Sequence, residues 1–203
     1  MKTIFVTGQV LMAAAVAGSA TSPILAQDET SAPTCNGIVT DDVARMYDFK
    51  LGDWNIQWRS QTSNGVASYQ SVSTVYLTME GQVMIDEQRW LGGFKGHTFR
   101  TFVPSDGQGR EALWTVRWLP ASSPPFDFPI SATLEDCVPV ERHHQIASSN
   151  FAGDEREVEV FTRFTDITED SFKFRQDWSF DGGETWMPDV LYYEATRIVE
   201  EAG

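Results

Sequence analysis

The sequence predicts an all-β domain, an antiparallel barrel of about ten strands, closed or nearly closed, entered through one short N-terminal helix. Three observations carry that expectation. From Trp54 onward apolar and polar residues alternate with a period of two, the pattern of strands with one buried face. Turn residues such as Asn64-Gly65, Gly92-Gly93 and Gly182-Gly183 punctuate that alternation at short intervals. Many antiparallel strands in sequence order, each with one apolar face, are left with two unpaired edges unless the sheet closes on itself.

The elements follow in order. Lys2 is the only charge before Asp28, Val10 to Gly18 is apolar and small, and Ile24-Leu25-Ala26 precedes a polar stretch. A positive start, an apolar middle and a small residue at the cut are the layout of a secretory signal peptide, expected over 1–26. Its apolar core is shorter than the roughly 20 residues a spanning helix needs, and no later run approaches that length, so no stable membrane span is expected after cleavage. Residues 27–39 are polar and read as an exposed arm. The barrel domain is expected over 40–203. Thr40-Asp41-Asp42 has the character of a helix cap, and Val43, Met46, Tyr47 and Phe49 have helical spacing, ended by Gly52.

Strands are then expected near 54–58, 66–78, 83–90, 97–103, 111–119, 130–136, 142–148, 156–164, 171–180 and 189–199. The apolar alternation places Trp54, Ile56 and Trp58 on one face of the first strand and Trp114, Val116 and Trp118 on one face of the fifth. Phe172, Phe174, Trp178 and Phe180 share a face of the ninth, and Leu191, Tyr193, Ala195 and Arg197 share one of the tenth. Near 83–90, 97–103 and 142–148 the pattern does not fix which face turns inward, and a one-residue slip would exchange the two. Pro120 to Pro129 holds four prolines with Phe126 and Phe128. Such a segment cannot pair as a strand, and it reads either as a cap over one mouth of the barrel or as packing on its wall.

Composition narrows the function. The 203 residues carry 15 Lys+Arg against 29 Asp+Glu, a net charge of −14, which repels phosphate backbones and excludes nucleic acid as an expected partner. The two cysteines, Cys35 and Cys137, invite a disulfide in an exported chain, the alternative being two separate thiols. No Cys/His spacing of a zinc site is present. His143 and His144 are neighbours on one strand, so their side chains leave on opposite faces, and no metal site is expected. Ser179-Phe-Asp181-Gly-Gly183-Glu-Thr185-Trp186 has the form of a folded turn in which Asp181 binds turn amides and Trp186 packs beneath.

Leu51-Gly52-Asp53-Trp54, directly after a short helix, resembles the Gly-x-Trp entry of the lipocalins and wider calycin barrels, and Arg197 resembles their late Arg, which packs near that Trp. The mature chain is similar to a bacterial family of exported domains with a lipocalin-like barrel. That resemblance lies in Phe49 to Trp54, Asp86-Glu-Gln-Arg-Trp90, Asp181 to Trp186 and Tyr192-Tyr-Glu-Ala-Thr-Arg197. It covers roughly 45–199 and implies fold rather than activity. Related barrels that bind haem use a late His, and none follows His144, so no cofactor is expected.

The expected function is the binding of a small apolar or aromatic molecule in the periplasm or outside the cell. The expected contacts are Trp54, Trp58, Trp114, Trp118, Phe174, Trp178 and Tyr193, with Arg89, His97 and Arg197 orienting the ligand. Two alternatives stand beside it. One is a cofactor-free isomerase, cyclase or lyase using His97, His143 or Glu87. The other is an envelope protein whose aromatic rings fill the core. Periodicity does not separate a filled barrel from a hollow one, and the oligomeric state is not legible.

Overall fold

A computed structural model describes Cys35 and residues 37–121, 130–147 and 155–199. The expected signal peptide, most of the expected arm and all of the proline-rich segment beyond Ala121 lie outside the described residues.

Ten antiparallel strands form one closed barrel in the cyclic order of the sequence. They are β1 Gly52–Thr62, β2 Gly65–Thr78, β3 Val83–Trp90, β4 Lys95–Val103, β5 Leu113–Pro120, β6 Ile130–Glu135, β7 Val138–Ala147, β8 Arg156–Thr165, β9 Ser171–Ser179 and β10 Met187–Arg197. The last strand pairs with the first, Trp54 opposite Arg197, so no edge is left open. The expected fold class is the observed one, an all-β closed antiparallel barrel of ten strands.

Local chemistry sets the ends of the elements. Thr62 pairs with Gly65 across a two-residue turn, and Gly65 takes the positive φ of 112° that this turn demands. The short N-terminal helix is made of two successive 3-10 turns, Val43–Arg45 and Asp48–Lys50. Asp42 caps the first by accepting the Ala44 N–H at 2.9 Å.

That helical segment closes one end of the barrel. Tyr47 and Phe49 enter among Trp114, Phe164 and Phe172 with ring centroids 5.1–5.8 Å apart, all edge to face. The indole of Trp54 donates to the Lys50 carbonyl at 2.6 Å and that of Trp114 to the Val43 carbonyl at 2.8 Å, so both buried N–H groups are met by the segment's backbone. Cys35 is bonded to Cys137 in the β6–β7 turn, a span of 102 residues that ties the start of the described chain to this same end. Among the described residues no helix is long and apolar enough to cross a membrane.

Candidate functional site

Above the closed end the barrel is hollow. A cavity of about 360 Å³ runs from Lys50 and Tyr193 up to Phe94 in the β3–β4 turn. Its size falls within the range of small-molecule sites. Its wall is divided by chemistry.

One side is aromatic. Trp58, Tyr69, Trp90, Phe94 and Trp118 come from β1, β2, β3, the following turn and β5. Trp58 lies parallel to Tyr69, its centroid 5.8 Å away, and Trp90 meets Trp118 edge-on at 5.6 Å. The Trp58 N–H is held by the Ser71 hydroxyl at 2.7 Å, which fixes the ring. Gly96 makes room for Trp118: a Cβ there would lie 2.3 Å from the indole. The other side is richer in amides. His143 and Gln145 come from β7, Gln176 and Trp178 from β9. Trp178 donates to Gln176 at 3.0 Å, and Gln176 donates to Thr162 at 3.2 Å.

The floor is ionic. Lys50, Asp86, Arg100 and Glu141 are all buried. Lys50 Nζ is 3.2 Å from Asp86 Oδ2, and Arg100 Nη2 is 3.2 Å from Glu141 Oε1. Ser73 donates to Asp86, and Tyr47 donates to Glu141 at 2.8 Å. Lys50 also lies 4.9 Å from the centre of the Phe164 ring and Arg100 4.8 Å from that of Tyr47. Burial, and then the neighbouring Arg100, push the Lys50 ammonium down to about 8 against the pull of Asp86 and Glu141. Burial pushes the Asp86 carboxyl up, but Lys50 and Arg100 outweigh it and hold it below its ordinary value. Tyr47 and Tyr193 are raised well above the usual phenol value, by burial first and then by Glu141 and Asp86 respectively. Both phenols are therefore neutral at physiological pH, Tyr47 donating to Glu141 and Tyr193 accepting from Lys50 at 3.3 Å. Burial lowers His143, so its imidazole is uncharged at pH 7.

The residues expected at the site divide into three groups. Trp58, Trp118, Phe174, Trp178 and Tyr193 line the cavity. Trp54 and Trp114 are buried in the closed end, below the cavity. Arg197 is there too: its guanidinium stacks 4.2 Å from the Trp54 ring and donates to the Leu51 carbonyl at 2.7 Å. It locks the helical segment rather than facing a ligand.

Arg89 and His97 correct the expectation. Their side chains are 47% and 42% exposed, on the outer wall, because the inward face of β3 is Met84, Asp86, Gln88 and Trp90 and that of β4 is Gly96, Thr98, Arg100 and Phe102. Outside, Arg89 donates to Thr74 at 2.9 Å and Tyr76 donates to Glu87 at 2.9 Å, a surface ladder with His97 opposite Glu87. Lys50, Asp86, Gln88, Arg100, Glu141 and Trp90 are among the cavity residues that sequence reasoning did not put forward. His143 faces the cavity while His144 is exposed, as neighbours on one strand must. Among the described residues no group of three or more His, Cys, Asp or Glu is placed to hold a metal ion.

The turn after β9 is folded as its sequence implies. Asp181 accepts the Ser179 hydroxyl at 2.7 Å and the Thr185 N–H at 2.9 Å, and these bonds with the Thr185 hydroxyl lower its carboxyl to about 2. Trp186 donates to the Gly183 carbonyl at 3.1 Å and rests against Phe161 on the outer wall.

No protein-family model and no curated protein matches the chain. Among solved structures it is similar to an S-type phycobiliprotein lyase from Guillardia theta, at 11% identity over 78% of this chain and 94% of that one, with a TM-score of 0.48. A likeness so distant says nothing of ligand or activity, and the barrel rests on its own strand pairing.

Proposed function

We propose that the chain is an exported carrier or scavenger of a small apolar or aromatic molecule, held inside the barrel. The observation that supports this best is the cavity of about 360 Å³ with Trp58, Trp90 and Trp118 along one wall. Rigid rings give large contact area at little entropic cost, and they favour flat partners that can stack. A periplasmic or secreted setting accords with the Cys35–Cys137 bond, which persists in oxidising compartments.

A second reading, a cofactor-free enzyme on the same barrel, has one observation in its favour. His143 is an uncharged imidazole on the cavity wall, the form a general base needs. His97 and Glu87, on the outer wall, are poorly placed for that role.

Native mass spectrometry of protein purified from an oxidising compartment, beside a denatured control, tests the carrier reading. A non-covalent adduct lost on denaturation is expected. A bare chain, with no quench of Trp fluorescence by any of a panel of apolar aromatics, would overturn it. Turnover of a bound ligand that Gln in place of His143 abolishes would favour the enzyme.

A further inference from the structure

The floor of the cavity carries information about the ligand that the aromatic wall does not. Two cations, Lys50 and Arg100, face two carboxylates, Asp86 and Glu141, so the buried quartet is already neutral. Its hydrogen bonding is nevertheless incomplete. Arg100 is 3% exposed, and among the described residues its Nε and Nη1 have no hydrogen-bond partner; Nη1 lies 3.8 Å from Asp86 Oδ2, beyond bonding reach. Gln88 is 5% exposed and its Oε1 is likewise unmet. The amide has little freedom to turn round: Nε2 is directed at Asp86 Oδ2, 3.5 Å away, and a flip would set two acceptors against each other. Both side chains border the cavity. Two donor atoms and one acceptor, on side chains that border its polar end, are thus left over, and buried polar groups without partners are costly in free energy.

Resting on the carrier reading, we infer that the ligand is a flat, uncharged molecule with a hydroxyl group on one edge. The polar edge turns to Arg100 and Gln88, and the ring lies along the tryptophan wall. Charge decides against the alternatives. An anionic head would add an unbalanced charge to a closed quartet inside a protein of net charge −14. A cationic head would sit against Arg100 and Lys50. A neutral group that accepts from Arg100 and donates to Gln88 completes the network without moving its charge balance.

Three probes sharing one ring system test this by equilibrium dialysis: naphthalene, 2-naphthol and 2-naphthoate. We expect 2-naphthol to bind about tenfold more tightly than either of the others, the worth of one hydrogen bond to a charged group. Removing Arg100 would strip a buried cation from between two carboxylates and endanger the fold, so Gln88→Leu, close in size, is the informative variant. It should cut the preference for 2-naphthol over naphthalene about threefold, since the bond from Arg100 remains while the one to Gln88 is lost. Equal binding of naphthalene and 2-naphthol to the unaltered protein would overturn the polar-edge assignment while leaving the carrier reading intact. Tightest binding of 2-naphthoate would overturn the uncharged head. A Gln88→Leu variant that weakens all three alike would reduce Gln88 to a structural role and overturn the inference. Binding of none of the three would count against the carrier reading itself.

Discussion

The two ends of the barrel use the same residue types to opposite effect. At the closed end Trp54, Trp114, Phe164 and Phe172 meet other rings edge-on and leave no space. At the open end Trp58, Trp90 and Trp118 pack against one another along one wall and border a cavity on their inner side. The strands do not make this difference, since β1, β5 and β9 each carry aromatic residues into both halves, Trp54 and Trp58, Trp114 and Trp118, Phe172 and Trp178. The helical segment makes it: Tyr47, Phe49 and Lys50 enter one end only. A barrel of ten strands is too wide for its inward side chains alone to fill, so whatever is inserted decides which half is core and which is pocket. The ionic floor is the boundary between them, the point where the inserted Lys50 meets the wall residues Asp86 and Arg100.

If the closed end carries stability and the open end carries binding, the two should be separable. The largest effect expected is from the Cys35–Cys137 bond, which closes a loop of about 100 residues at the closed end. In the chain-entropy model its loss costs about 4–5 kcal/mol. The double variant Cys35→Ala/Cys137→Ala should show that loss in urea unfolding, with probe affinity at the open end unchanged in the protein that remains folded. A parallel fall in affinity would break the division.

A matched pair of truncations sharpens it. Phe172 is 2% exposed and touches Phe49, Trp54, Phe164 and Tyr193, so Phe172→Ala should cost about 3–5 kcal/mol. Trp118 already borders open space, and Trp118→Ala should cost only about 1–2 kcal/mol while weakening probe binding strongly. Unfolding curves and dialysis on both variants check this; similar losses of stability from the two would mean that the open end is as tightly packed as the closed one.

How far the sequence carried this picture depends on where the pattern was two-sided. Strands β1, β5, β9 and β10 have one apolar face, and their inward residues were legible, Trp58, Trp118, Phe174 and Tyr193 among them. Strand β4 has no apolar face at all: Arg100 and Thr98 lie inside, Phe99 and His97 outside. A buried Arg reads as a surface residue until its two carboxylates are brought to it from β3 and β7, which no local signal announces. Strand β3 did hold a clue, since Met84 and Trp90 share the parity of Asp86 and Gln88, and weighting those two ends would have turned Arg89 outward. Trp54, Trp114 and Arg197 show the converse limit. Their inward direction was right, but alternation gives the face of a strand and not the height along the barrel. Height is what separates the core from the cavity.

The smallest effect expected lies at the rim, in the turn that joins β9 to β10. Asp181 there is exposed, yet the Thr185 and Ser179 hydroxyls and the Thr185 N–H hold its carboxyl at about 2. Its ordinary value is 3.8, so the unfolded chain takes up this proton first as the pH falls. The contribution of Asp181 is therefore complete above pH 4 or so and fades through the folded value near 2. Asp181→Asn should be slightly less stable than the unaltered protein at pH 7, and the difference in urea midpoint should shrink toward zero as the pH approaches 2. Asp86, whose carboxyl is also lowered, titrates in both proteins and drops out of the difference. A gap that stays constant with pH would place the turn's stability in its neutral hydrogen bonds instead of its charge. Unaltered probe binding in the same variant would show that the rim shapes the mouth without reaching the ligand, whereas weakened binding would extend the site upward past Trp178 to the turn itself.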